Sequence, residues 1–281
     1  MANRLLVYQA LWAMDRLSVP EASTAEKFDR VSAAGFDGMA IDLGALSMEQ
    51  AEATVPHFAR TGLAGGLTAF PTSIEALRPA LRLAHRIAAP FVVVIGQEMP
   101  VKLGDMVPVI EGWLRVAEQE AMPIQFETHR NCITNDLYTI VQLLEAVPAM
   151  RLAADLSHYV VDREMPCPPT PALQELIGRV LNRSDSFQGR VAARGQIQIV
   201  LDFPQNAKWV ALFREWWRQG FRAWLARQRG GDEALVFLCE LGPPDYALTD
   251  AQGRELSDRW AEAAVLGQWA RETWREVSDA R

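Results

Sequence analysis

The sequence is short of cysteine, of positive charge and of long apolar runs, and each shortage removes a class of protein. Cys132, Cys167 and Cys239 are an odd three with no CxxC spacing, which speaks against a disulfide framework or a zinc finger and suits a reducing, cytoplasmic setting. The formal net charge of −7 offers no basic surplus for nucleic acid or an anionic membrane, so a small-molecule partner is expected. The longest uncharged apolar run, Ile87 to Gly96, is about ten residues, well short of the ~20 that a bilayer-spanning helix needs. The N-terminal apolar stretch is interrupted by Gln9 and Asp15 and has no small-residue cleavage site, so it reads as a first strand and not as a secretory leader. Also missing are a GxGxxG after a strand, a P-loop and a GxSxG, the commonest signatures of dinucleotide binding, phosphoryl transfer and serine hydrolysis.

What is present is alternation. Leu5–Ala10 is strand-like, and Ser23 to Gly35 follows with a capping-box spacing to Glu26 and a glycine stop. The pattern then repeats. Strands are expected at 36–44, 63–70, 91–95, 124–127, 152–155, 190–199 and 234–240, each followed by an amphipathic helix, the last over 255–277. One strand per ~30 residues implies a parallel sheet, and eight such units over 281 residues predict a single (β/α)8 TIM barrel of the α/β class spanning 1–281. Three turn-rich connections, Val161–Pro171, Leu201–Gln205 and Gly242–Gly253, fall at strand C-terminal ends, where barrels build their pockets. The helix over 206–228 carries Trp209, Phe213, Trp216, Trp217, Phe221 and Trp224 at helical spacing. Such a stripe is chiefly packing, but Trp216 and Trp217 point about 100° apart, which leaves part of it for a homodimer interface.

The chemistry-bearing residues end apolar runs. Glu127 and His129 close one strand, Asp155 and His158 the next, and Glu240 the last, so all would meet at the barrel mouth. Three carboxylates there repel one another unless a metal, an arginine or protons neutralise them. Two carboxylates and two imidazoles from neighbouring strands are either ligands for a divalent metal or an acid/base set.

The phrases Phe126-Glu-Thr-His-Arg, Ala154-Asp-Leu-Ser-His-Tyr, Cys239-Glu-Leu-Gly-Pro and Ser257-Asp-Arg-Trp resemble the sugar phosphate isomerase/epimerase family of xylose-isomerase-like barrels. The resemblance covers most of the chain and implies one divalent metal, Mn²⁺, Mg²⁺, Co²⁺ or Zn²⁺, held by Glu127, Asp155 and Glu240. It implies that Glu127 and Glu240 shuttle a proton while His158 holds a substrate oxygen. One ligand is missing: the family has a histidine in strand seven, and with that strand placed over Arg190–Ile199, Ala192 stands in its position.

Two outcomes follow. Either the three carboxylates bind a hard cation with water or His129 in the vacant position, or the metal is gone and Arg194 with protonation balances the acids. The expected activity is isomerisation, epimerisation or dehydration through proton transfer beside a carbonyl of a small polyol, sugar or hydroxy acid; the contrasting class is a metal-independent enzyme or a barrel that only binds. His129, Arg194, Gln198 and Trp12 are the expected substrate contacts, with Gln97 a further candidate wall. His57 and His85 fall in outer helices and are expected to be structural, and Cys132 to line the mouth.

Overall fold

The computed structural model describes residues 3–228 and 230–279, and its strands close in chain order into one barrel of eight. The strands are β1 (Arg4–Ala10), β2 (Gly38–Asp42), β3 (Ala64–Ala69), β4 (Val92–Val94), β5 (Ile124–Glu127), β6 (Leu152–Ala154), β7 (Ser184–Gly189) and β8 (Ala234–Cys239). All pairings are parallel, and β1 closes on β8 with Arg4 opposite Ala234. The helices are α1 (Thr24–Ala33), α2 (Met48–Glu52), α3 (Val55–Thr61), α4 (Arg78–Arg86), α5 (Leu103–Gln119), α6 (Leu137–Ala146), α7 (Leu156–Asp162), α8 (Pro171–Leu181), α9 (Ala207–Arg227) and α10 (Arg259–Asp279). No helix among the described residues is long and apolar enough to cross a membrane.

Strand alternation sorts the side chains into two layers. Outward residues such as Leu235, Phe237 and Cys239 join the large core between barrel and helices, whereas Tyr8, Ala10, Ala40, Val236 and Leu238 pack inside the barrel. The Tyr8 ring needs glycine beside it: a Cβ on Gly38 would lie 2.5 Å from the ring. The lumen also holds polar groups: Ser186, beside Val236 of β8, donates to Gln125 at 2.6 Å.

Two expectations are corrected. Strand seven is Ser184–Gly189, not Arg190–Ile199; the latter forms a loop closed on itself by a short antiparallel bridge, Ala193 with Gln196, and by the Ile199 amide on the Val191 carbonyl at 3.1 Å. The inner face of Ser184–Gly189 is polar, Ser186 and Gln188, and lacks the apolar signature of a strand; Ser184 donates instead to the Val180 carbonyl of α8 at 2.9 Å, and Asp185 is held by Arg151 and Arg227. Ala192 is consequently a fully buried core residue past the strand, not a lumen position. The aromatic stripe on α9 is buried within one chain: Trp216 donates to Gln174 of α8 at 2.9 Å, and Trp217 packs edge-on against Phe237 of β8. The 100° divergence that suggested a subunit interface is absorbed by two intramolecular neighbours. The unexpected α7 begins directly after β6, with Asp155 as its N-cap accepting from the Ser157 amide at 2.9 Å.

Candidate active site at the barrel mouth

The inner-face register of each strand continues past its end, and that parity builds the site. Asp42 follows Ala40 on β2, Glu127 and His129 follow Gln125 on β5, Arg190 follows Gln188 on β7, and Glu240 follows Leu238 on β8. With Trp12, Phe70, Ile95 and Tyr246 these side chains line a cavity of about 270 Å³, near the lower end of small-molecule pockets, roughly 300 Å³ upward.

Arg190 is the residue that organises the acids. Its Nη2 donates to Asp155 Oδ2 and lies 3.5 Å from Glu240 Oε2, while its Nε donates to Ser157 at 3.2 Å. The guanidinium also sits over the Tyr246 ring, 5.3 Å from its centroid. Its Nη1 is buried without a hydrogen-bond partner among the described residues, as is Glu240 Oε2. Glu240 Oε1 accepts from Trp12 Nε1 at 3.3 Å, and Glu127 accepts from Gln188 Nε2 at 3.1 Å. Two threonines fix the end of β5: Thr134 Oγ1 donates to the Glu127 carbonyl, and Thr128 Oγ1 donates to the Asp155 carbonyl at 2.8 Å.

The electrostatics divide the carboxyls. Burial, reinforced by Glu240 and Asp155, pushes Glu127 well above the ordinary carboxylate range. Burial also lifts Glu240 to about 7, against the pull of Arg190. Asp42 is raised to about 6 by burial, although the Gly44 and Ala45 amides bind its Oδ1. Asp155 is buried too, but Arg190 and His158 outweigh that penalty and hold it ionised, below its ordinary value. Burial lowers both imidazoles, His129 to about 3, so both are neutral.

The structure therefore brings Glu127, Glu240, His129 and Trp12 to the cavity walls and places Asp155 and His158 directly behind Arg190. His158 is wholly buried, its Nε2 3.3 Å from both Arg190 Nη2 and Asp155 Oδ2, and its ring against that of His129. Arg194 and Gln198 are not brought in. Arg194 is exposed and pairs with Glu164 at 3.3 Å, and Gln198 spends both amide atoms clamping the backbone of Gly242. Cys132 is buried on the His129 carbonyl and Gln97 turns to the Ile95 carbonyl, so neither is a cavity wall. Of the three long loops, the Gly242–Gly253 loop reaches the cavity, through Tyr246. His57 packs on Phe28 and His85 binds the Glu120 carbonyl, as expected of outer-ring residues. Arg190, Asp42 and Tyr246 are the site residues that sequence reasoning missed; Asp42 was open to it, since it ends the apolar run of β2 just as Glu127 ends that of β5.

Two sets of three residues come close enough for one metal ion, with ligand atoms within 4.8 Å of one another: Glu127, Asp155 and Glu240, and Glu127, His129 and His158. Neither fits as it stands. The first already encloses a cation, because Arg190 bonds Asp155 and reaches Glu240. In the second, the imidazole centroids are 3.9 Å apart. Two histidines on one tetrahedral ion, with metal–nitrogen bonds of ~2.0–2.1 Å, would hold them roughly 5 Å apart.

A closed (β/α)8 barrel with its charged residues at the strand C-terminal ends is the class that fold and site define. The solved structures it is similar to include D-allulose 3-epimerase from Methylomonas sp. (TM-score 0.57, 16% identity, covering 99% of this chain and 100% of that one). A xylose isomerase-like TIM barrel protein from Mycobacterium smegmatis in complex with magnesium is similar at TM-score 0.59 and 15% identity, covering 96% of this chain and 97% of that one. A sugar phosphate isomerase/epimerase from Parabacteroides distasonis is similar at TM-score 0.59 and 12% identity, covering 98% and 95%. At such identities the shared property is the fold, and the resemblance carried by the motifs is confirmed at that level. No protein-family model matches the chain, and a search of curated proteins finds no match.

Proposed function

We propose that the protein is an enzyme that moves a proton on a carbon next to a carbonyl in a small polyhydroxylated substrate, giving isomerisation or epimerisation. The observation that carries the reading is the pair of buried carboxyls, Glu127 and Glu240, that wall one cavity and are both held above the ordinary carboxylate range. Two such groups differ in when they ionise, which is how one site offers a base and an acid at the same pH. Glu240, beside Arg190, takes the negative charge first and accepts the proton from carbon; Glu127 stays protonated and returns one. Arg190, a cavity wall, presents its positive charge to the substrate oxygen that becomes negative in the enediolate, and preorganised charges of this kind contribute several kcal/mol to such steps. Trp12 and Tyr246 supply the flat apolar walls on which sugar C–H groups can rest. The names of the similar structures, which include a D-allulose epimerase, support a sugar-like substrate.

The test is solvent-exchange NMR. A panel of ketoses and hydroxy acids is incubated with the protein in D₂O, and loss of the proton beside the carbonyl is followed. Native protein is expected to exchange at least one member of the panel, and Glu127→Gln and Glu240→Gln to exchange it at least about 100-fold more slowly. Near-native exchange by either variant removes that residue from the reaction.

A further inference from the structure

We infer that the Arg190 guanidinium occupies the position of a divalent cation in this barrel, and that the chain holds no resident metal in its mouth. A mouth with Glu127, Asp155 and Glu240 within 4.8 Å of one another needs a positive charge, and a metal is one way to supply it. Here the charge comes from the strand itself. The inner face of β7 carries Ser186 and Gln188, and the next residue in that parity, Arg190, sends its side chain between Asp155 on one side and Glu240 on the other.

The guanidinium is built into this place and is not a surface arginine that has swung inward. It is 2% exposed, bonded to Ser157 and Asp155 and covered by Tyr246. Ser157 serves both partners, donating to Asp155 Oδ1 and accepting from Arg190 Nε, so the Asp155–Ser157–Arg190 unit is closed. A planar cation with fixed N–H directions differs chemically from a metal: it cannot bind water as a nucleophile, and it holds oxygen ligands by hydrogen bonds alone. It does keep its charge at the cavity, since Arg190 is itself a wall. The substrate class this favours is one that develops negative charge on a single oxygen, as a hydroxyketone does on enolisation. That last step rests on the proton-transfer reading; the replacement of the metal does not.

Metal binding without substrate separates the two. Mn²⁺ is titrated into metal-stripped native protein, Arg190→His and Arg190→Gln, by calorimetry and by the loss of the free-ion EPR signal, with thermal unfolding recorded with and without Mn²⁺. Native protein is expected to take up no stoichiometric Mn²⁺ below about 1 mM and to melt at the same temperature in its presence. The histidine variant, with the cation removed and a nitrogen ligand supplied, is expected to bind one Mn²⁺ at least about 10–100-fold more tightly than native and to be stabilised by it. Arg190→Gln keeps a donor for Asp155 if the imidazole variant fails to fold, and is expected to gain weaker binding. One tightly bound Mn²⁺ per native chain overturns the inference. So does a folded Arg190 variant that binds no better than native, because the acids would then not be a metal position vacated to an arginine.

Discussion

Replacing Arg190 by methionine keeps much of the side-chain volume and removes the charge together with its hydrogen bonds to Asp155 and Ser157, so it isolates what the guanidinium does for the fold. In the native protein Arg190 bonds Asp155 and stands 3.5 Å from Glu240, all three nearly or wholly buried. Removing one partner of a buried pair strands the other, at a cost of about 3–5 kcal/mol. Over 281 residues the unfolding entropy is about 0.6 kcal/mol per kelvin, so the expected loss is about 5–8 °C in Tm. The pH dependence is the sharper signature. Asp155 is held below its ordinary value by Arg190, so its stabilising contribution is present above the unfolded value near 3.8 and is lost only as pH falls through the depressed folded value. Without Arg190, Asp155 is buried unpaired and its acidity weakens, so the variant retains a proton that native has released. The deficit should then grow by up to about 1.4 kcal/mol per pH unit over the range where that proton difference persists. Thermal unfolding of both proteins at pH 5, 6, 7 and 8 checks it. A deficit that stays constant from pH 5 to pH 8, or no deficit at all, would refute the assignment of Arg190 as the counter-charge of Asp155.

Other outcomes follow from the same geometry. Native stability should fall between pH 5 and pH 7: Glu240 is raised to about 7, so the unfolded chain releases its proton first, and the difference from 4.5 amounts to about 3 kcal/mol, read from denaturant unfolding across pH. Activity found in the exchange assay should rise with pH as Glu240 ionises near 7 and fall again once Glu127 loses its proton, giving a bell-shaped profile. Arg194→Ala should leave stability within about 0.5 kcal/mol and exchange rates near native, because Arg194 is exposed and pairs with exposed Glu164. Gly220→Val should destabilise by about 1–3 kcal/mol in denaturant unfolding, since even a Cβ there would lie 2.4 Å from the Phe187 ring.

The sequence carries the barrel clearly where apolar strands alternate with capped helices. Strand β5 ends at Glu127 as its apolar run does, and α8 begins at Pro171 behind the Thr170 cap. It fails at β7, for a physical reason. Six residues, Ser184 to Gly189, turn serine and glutamine into the lumen, where they bond Gln125 and Glu127, and this polar inner face erases the hydrophobic alternation. Just beyond, Val191, Ile197 and Ile199 alternate with Ala192, Gln196 and Gln198 and imitate a strand, although the chain there is a loop held by the Gln198–Gly242 clamp. That shift hid the central residue: Arg190 looked like the start of a strand and Ala192 like its functional position, when Arg190 is the side chain that enters the acids. Glu127, Glu240, His129 and Trp12 were legible because they lie at or just past the ends of strands five, eight and one, which were placed correctly; α7 was missed because it is a short helix started by Asp155 itself.

Proton transfer by Glu127 and Glu240 with Arg190 in the place of a metal is tested by deuterium exchange into the most active substrate of the panel, with and without chelator. Native protein dialysed against EDTA should exchange the proton beside the carbonyl at the same rate as untreated protein, and added Mn²⁺ should not raise that rate. Exchange that EDTA abolishes and Mn²⁺ restores would mean that a metal, and not Arg190, supplies the charge.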